Sequence, residues 1–335
     1  MAGSQGKEAT NNVMAGMQGK EAIKNIMDGN AEERIMQNLE AVVEVQNLSK
    51  KFDKFELTVP ELEIPKGFAT ALIGENGAGK TTLLNCLAGT RLDYKGKIKY
   101  FGKYVNDERE KPENKVRENI AFTAPTGFFL PHWTIAQVGE LGELLFESFQ
   151  KDRFHALCKE MGILGEGDQR KKVSELSDGN RMKLMIATAF ARDVKLLLMD
   201  EPASPLDPLM REKLCNMMRE FLERGKGETS VLFSTHNISD MENVTDYCIF
   251  VEQGKVVEKG FVEDLKEKYV LVKGEREDLE AVRSTLYSIT ESQYGFEGIC
   301  LAENLDRLAG TRLSKETPTL FQISVAILKH YTNVQ

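Results

Sequence analysis

The chain reads as an α/β protein built on a largely parallel sheet, and three features carry that reading. Short apolar runs of strand length alternate with stretches of helical periodicity, the pattern of strands flanked by helices. One run, Phe68–Ile73, opens into the glycine-rich segment Gly74-Glu75-Asn76-Gly77-Ala78-Gly79-Lys80-Thr81-Thr82. Another, Val194–Met199, ends in Asp200-Glu201-Pro202. Ligands of open parallel sheets bind outside the carboxyl ends of strands, so both segments lie where such a fold places its chemistry.

Taken in order, residues 1–40 form an N-terminal extension. Met1–Ala9 recurs, with one change, as Met14–Ala22, and two short copies are too few for a solenoid. Met27–Leu39 is more helical in pattern, a segment able to dock on the body or on a partner. From Ala41 the pattern turns to β, with Val43, Val45 and Leu48, then Phe55–Ile64, then Phe68–Ile73 after the turn Pro65-Lys66-Gly67. Thr81–Ala88 is a helix, and Lys97–Phe101 and Asn119–Thr123 are strands. Thr134–Leu164 is helical in pattern, as is Gly179–Ala191. Val194–Met199 is a strand, Leu209–Glu223 a helix, Ser230–Ser234 a strand, and Tyr247–Val251 with Lys255–Glu258 a hairpin. This places one domain at 41–264, with a helical subdomain near 126–182, and a small α+β appendage at 265–335. In the appendage we expect helices at Val262–Lys268, Glu277–Leu286 and Pro318–His330, and strands at Tyr269–Lys273 and Gly298–Ala302.

Composition narrows the function. Of 335 residues, 41% are hydrophobic and 29% charged, which fits a folded globular chain. Lys+Arg 44 against Asp+Glu 52 gives a net charge of −8, without the basic footprint of a nucleic-acid binder. No apolar run is long enough to cross a membrane, and Met1–Gly16 has no apolar export core, so the expected compartment is the cytosol. Five cysteines without a CxxC pair argue against disulfides or structural zinc and for reduced, buried side chains.

The segment Gly74–Thr82 matches the phosphate-loop pattern G-x-x-x-x-G-K-[ST]. Its glycines let backbone N–H groups turn inward around phosphates, and the following helix points its positive end at the anion. Lys80 reaches the β- and γ-phosphates, and the Thr81 hydroxyl ligates Mg²⁺. Asp200 would hold Mg²⁺ through water, and Glu201 would polarise the attacking water.

With these residues in view, the chain resembles the nucleotide-binding subunit of an ATP-binding cassette (ABC) transporter over about residues 41–262. Leu176-Ser177-Asp178-Gly179-Asn180 stands where that family has its LSGGQ signature, Ser204-Pro205-Leu206-Asp207 resembles the D-loop, and Ser234-Thr235-His236 resembles the switch strand. The resemblance implies a P-loop NTPase ABC cassette: a parallel sheet core, an antiparallel β subdomain and a helical subdomain. It implies an ATPase that uses ATP and Mg²⁺. Phe52 would stack on adenine or be a core aromatic, and Gly74 to Thr82 would cradle the phosphates, with Thr82 beside the α-phosphate. Ser177 and Gly179 would bind the γ-phosphate held by a second subunit, so that a homodimer or heterodimer sandwiches two ATP molecules. Asp207 would cross that interface, and His236 would contact the γ-phosphate and orient Glu201 or the water. The implied partners are transmembrane permease subunits that hold the chain on the inner face of the cell membrane. Thr317-Pro318-Thr319-Leu320 and the helix after it resemble the end of exporter-type subunits.

The chain departs from the family pattern at three places. Asp178 and Asn180 replace Gly and Gln in the signature, and a carboxylate beside a γ-phosphate repels it unless it turns away or pairs with Lys183 or Arg181. Pro205 replaces a small residue in the D-loop. Pro125 falls where the family has the Q-loop glutamine and offers no side-chain oxygen. Either an extra water serves the metal or the register differs by a residue or two; the nearest glutamine is Gln137. The loop Phe128–Trp133 is either a groove wall for a permease or a plug in the helical subdomain. The rival functions are an ATP-dependent clamp with weak turnover and a soluble ABC ATPase acting on ribosomes or DNA.

Overall fold

A computed structural model describes residues 40–106, 112–125, 128–165, 170–308 and 312–333. The sequence duplication and the Met27–Leu39 helix lie outside the described residues.

The strands are β1 (Ala41–Lys51), β2 (Glu56–Pro65), β3 (Ala69–Ile73), β4 (Lys95–Tyr100), β5 (Tyr104–Asn106), β6 (Ile120–Thr123), β7 (Leu196–Met199), β8 (Ser230–Thr235), β9 (Tyr247–Glu252) and β10 (Lys255–Phe261). They form one ten-stranded sheet in the order β5-β4-β1-β2-β10-β9-β3-β8-β7-β6. From β9 to β6 all neighbours are parallel, whereas β1, β2, β4 and β5 form an antiparallel wing. The sheet is buried on both faces because its central strands β3, β7 and β8 are mostly apolar; their exceptions, Thr70, Ser230, Ser234 and Thr235, are small and buried. Ala69, Ala71, Ile73, Leu197, Met199, Val231 and Phe233 pack into one cluster, and Leu72, Leu196, Leu198 and Leu232 into another. That alternation is the period-two signature of a strand covered on both sides.

The helices are α1 (Lys80–Leu87), α2 (Asn114–Glu118), α3 (Ile135–Leu145), α4 (Lys151–Glu160), α5 (Asp178–Phe190), α6 (Pro208–Gly225), α7 (Val262–Lys268), α8 (Leu279–Val282) and α9 (Leu320–Asn333). The expected helical stretch Thr134–Leu164 is broken between α3 and α4. Phe146 is extended, and Phe149 forms a β-bridge with Arg192 while its ring is buried. Tertiary pairing overrides local helical preference there. Arg192 is itself buried, donating to the carbonyls of Arg117, Glu118 and Ile120 and lying 3.6 Å from the Phe146 ring centroid.

A second, antiparallel sheet runs β12 (Thr290–Ser292), β13 (Gly295–Leu301), β11 (Tyr269–Gly274), β14 (Ser314–Glu316). Val272, Phe296 and Cys300 of this sheet share a small core with Leu279 and Val282. The helix expected over Glu277–Leu286 is one turn, α8, between two 3-10 turns. All five cysteines are buried and unpaired. Among the described residues no helix is long and apolar enough to cross a membrane.

Candidate nucleotide-binding and catalytic site

Three neighbouring parallel strands deliver the chemistry to one edge. β3 pairs β8 with Ile73 opposite Thr235, and β8 pairs β7 with Phe233 opposite Met199. The residues that follow, Gly74, His236 and Asp200, therefore emerge side by side. β6 lies outside β7, with Thr123 opposite Met199, so Ala124 and Pro125 leave the sheet at the same edge.

The phosphate loop depends on backbone that only glycine adopts easily. Gly77 has φ 86 and Gly79 φ 110, the latter as the N-cap of α1. A Cβ on Gly74 would lie 2.2 Å from the Val251 carbonyl oxygen, so this residue is held small by the neighbouring strand. Lys80 is almost fully buried and donates to the carbonyls of Gly74 at 2.7 Å and Glu75 at 3.0 Å. Burial pulls its ammonium below the usual lysine range, and the carboxylates of Glu201 and Asp200 pull it partly back.

Asp200 is 2% exposed and accepts two hydroxyl donors, Thr81 Oγ1 at 2.8 Å and Ser234 Oγ at 2.6 Å. Ser234 Oγ also accepts from the Glu201 backbone N–H at 2.9 Å. Glu201 has φ 46, a left-handed conformation that costs energy for a non-glycine residue and that this hydrogen bond helps to hold. Its carboxylate is divided between two partners. Oε2 lies 2.8 Å from His236 Nδ1, and Oε1 lies 3.5 Å from Lys80 Nζ. At that distance Oε1 is ion-paired, yet it is buried with no hydrogen-bond partner among the described residues.

A recess of about 310 Å³ runs from Phe52 and Phe55 past Gly77 to Lys80, Thr81, Thr82 and Glu201, with an aromatic wall at one end and the phosphate loop at the other. Phe52 is half-buried at the rim; Lys50 and Arg91 lie 5.1 and 5.2 Å from its ring centroid. Phe55 was not singled out in the sequence, although its ring backs Gly79 closely. Ser234 stood in the motif without a role; its strand, Ser-Val-Leu-Phe-Ser-Thr, carries three hydroxyl residues, and nothing local marks this one.

The signature and D-loop segments lie close together. Ser177 is the N-cap of α5, its hydroxyl accepting from Asn180 N–H at 3.3 Å. A Cβ on Gly179 would stand 2.9 Å from the Pro205 carbonyl oxygen. Asp207 caps α6 by accepting from Met210 N–H at 3.0 Å. Asp178 pairs with Arg181 at 3.1 Å, so of the two cations considered Arg181 supplies the charge. Gln137 is committed elsewhere: it forms a capping box with Thr134 at the start of α3. Within Phe128–Trp133, Phe129 and Trp133 pack against the core, whereas Phe128 and Leu130 are about half exposed. The loop is thus part plug and part wall of a cleft of about 840 Å³ that reaches Glu201 and His236.

The site fits Mg²⁺ rather than a metal caged by protein. Among the described residues no three His, Cys, Asp or Glu side chains converge on a common point. Thr81 and Asp200 instead bring two hard oxygens together, which suits an ion that keeps several waters and binds phosphates.

The comparisons agree with this geometry. The family model for ABC transporters matches residues 57–204. The chain is 30% identical over 222 residues to the glutamine transport ATP-binding protein GlnQ of Escherichia coli (strain K12), covering 65% of this chain and 91% of that one. It is 31% identical over 230 residues to the phosphate import ATP-binding protein PstB 2 of Aliivibrio fischeri, covering 65% and 82%. A solved ATP-binding subunit of an ABC transporter superposes with a TM-score of 0.58 at 25% identity, over 67% of this chain and 92% of that one. The fold also matches a dimeric ATP-binding cassette bound to ADP and Pi, with a TM-score of 0.56 at 21% identity over 66% and 98%. A single cassette with a complete phosphate loop and an acidic strand end defines a nucleotide-hydrolysing class of protein. The chain belongs to the ABC transporter ATP-binding protein family, and its cassette is an ATPase.

Proposed function

We propose that this chain binds and hydrolyses ATP to power a separately encoded membrane permease, working as one of a pair of nucleotide-binding subunits. The observation that carries the reading is the convergence of Lys80, Glu201 and His236 beside the Thr81–Asp200 pair at one sheet edge.

The phosphates of ATP would displace Lys80 from the Gly74 and Glu75 carbonyls and take its charge. Thr81 and Asp200 would hold Mg²⁺, which neutralises charge on the phosphates when bound. Glu201, with one buried oxygen that accepts no hydrogen bond among the described residues, is suited to accept a proton from an attacking water. His236 holds the other oxygen and so fixes the carboxylate's orientation. Water attacks the γ-phosphorus, the bond to the β–γ bridging oxygen breaks, and ADP and phosphate leave; catalysis is by positioning and electrostatics. Ser177 and Gly179 would meet the γ-phosphate of a second subunit, with Asp207 at that interface and Phe52 against adenine.

We take 1–40 as an N-terminal extension, 41–264 as the ATPase unit and 265–335 as an appendage whose last helix packs on that unit's core. The partners would hold the chain at the cytoplasmic face of the membrane, and no nucleic acid is involved. The name of the phosphate import relative favours uptake, and the Thr317-Pro318 helix favours export; transport by vesicles containing the matching permease decides direction. The reading is tested by ATP turnover of the wild type against Lys80→Ala, which should lose turnover in the chain and in its permease complex. Equal turnover of the two overturns it. A second reading, a clamp with weak turnover, is favoured by Pro125, two residues beyond β6, and by the commitment of Gln137 to its cap. Turnover indifferent to Glu201→Gln would select it.

A further inference from the structure

After His236 the chain runs to β9 through two 3-10 turns, Ile238–Asp240 and Glu242–Val244. Such turns have poor internal hydrogen-bond geometry, so the position of this strap is set by what it is tied to. On one side Asp240 accepts from Arg211 Nη1 of α6 at 2.7 Å. On the other, Glu242 Oε1 accepts the backbone N–H of Leu320, the first residue of α9, at 3.0 Å, and faces Lys266 Nζ of α7 at 3.4 Å.

The helix has a cap of its own. Gln322 N–H donates to Thr319 Oγ1 at 3.2 Å, and Thr319 N–H donates to Gln322 Oε1 at 2.9 Å. Glu242 therefore adds a bond between elements rather than completing the local cap, and a carboxylate at a helix N-terminus is electrostatically favoured. Beneath it, Ile238, Met241 and Val244 share one buried cluster with Leu320, Ile323, Ala326 and Ile327. The strap packs against α9 and is hydrogen-bonded to it at one point, Glu242.

We infer that Glu242 is a positioning residue for His236, and that the C-terminal helix α9 sets the geometry of the Glu201–His236 pair through it. This rests on the proposed role of His236. A displacement of α9 would pass through the Glu242–Leu320 bond into a strap that begins at the imidazole, and would lengthen the 2.8 Å contact with Glu201. Asp240 and Arg211 fix the opposite side, so the strap would pivot there.

The test uses the full chain with Glu242→Ala and Glu242→Gln. Three quantities are read: ATP turnover, affinity for a fluorescent ADP analogue, and the carbethoxylation rate of His236 by peptide mass, with His132 and His155, which lie outside α9 and the strap, as internal controls. For Glu242→Ala we expect kcat to fall about fivefold with ADP-analogue affinity within about twofold, and His236 to react about threefold faster. Glu242→Gln should recover most of both, because its amide oxygen still accepts from Leu320 N–H. Unchanged His236 reactivity overturns the inference, as does a parallel fall in kcat, nucleotide affinity and melting temperature. Because the His236 readout needs no turnover, a wild-type chain that fails to hydrolyse ATP sinks the functional reading while the positioning claim is still decided.

Discussion

His236 Nδ1 lies 2.8 Å from one oxygen of Glu201, while the other oxygen of the same carboxylate faces Lys80 Nζ at 3.5 Å. One carboxylate thus links the switch strand to the phosphate loop, and its two oxygens have different work. Glu201→Gln keeps the shape and removes the base. We expect kcat to fall about 100-fold or more, as for loss of a general base, with nucleotide affinity nearly unchanged. Light-scattering mass should then show an ATP-dependent dimer. A monomer that still binds ATP would mean that the signature does not engage ATP across two isolated chains.

The signature aspartate has its own countercharge. Asp178 and Arg181 are an exposed i,i+3 pair worth under ~1 kcal/mol to the fold. Arg181 is also held by the carbonyls of Val173 and Ser174. Its value should appear when an ATP phosphate approaches. In a Glu201→Gln background, Arg181→Ala should weaken ATP-dependent dimerisation about fivefold, from the uncompensated charge. Asp178→Gly combined with Arg181→Ala should restore it, and rising salt should shrink the difference. Sedimentation equilibrium of the four combinations checks this; additive single effects would rule out charge compensation.

Ser234 ties the two acidic residues together, donating to Asp200 and accepting from the Glu201 N–H. It is fully buried, so Ser234→Ala leaves an acceptor and a donor short of partners and should cost ~1–3 kcal/mol of stability. Asp200 loses a fixed orientation, and the Mg²⁺ concentration for half-maximal turnover should rise about tenfold. Denaturant unfolding and a Mg²⁺ titration of turnover measure the two effects. A stability loss without a change in Mg²⁺ dependence would make Ser234 a packing residue alone.

These groups differ in how far the sequence exposed them. Gly74 to Thr82 and Asp200-Glu201 were readable because each motif is contiguous and sits at the end of an apolar strand. The parallel core was readable from runs such as Leu196–Met199. What escaped depends on partners far along the chain. Ser234, Arg192 and Glu242 act on residues 34, 72 to 75 and 78 positions away, and local pattern carries no trace of that. β5, β12 and β14 span three residues each, and β12 and β14 are exposed throughout, leaving no alternation to read. Gln137 is different: Thr134-Ile135-Ala136-Gln137 is a capping-box pattern in plain sequence, and reading it removes Gln137 from any role at the metal.

Glu252 gives the protein a pH dependence of known sign. It ends β9 beside the phosphate loop, with its Oε2 buried and unpartnered among the described residues. Burial first and Glu75 second hold its carboxyl above the ordinary value of 4.5, while Lys80 pulls the other way. The folded chain therefore binds this proton more tightly than the unfolded chain does. The stabilisation is full below the unfolded pKa and is lost as pH rises through the folded one, so ionised Glu252 is a standing cost at neutral pH. Glu252→Gln should raise the melting temperature by about 1–3 °C at pH 7.5. The gain should shrink as the pH falls and vanish below the ordinary carboxyl range. Melting curves at three pH values decide the matter, since an equal gain at every pH would place the effect in packing instead of charge.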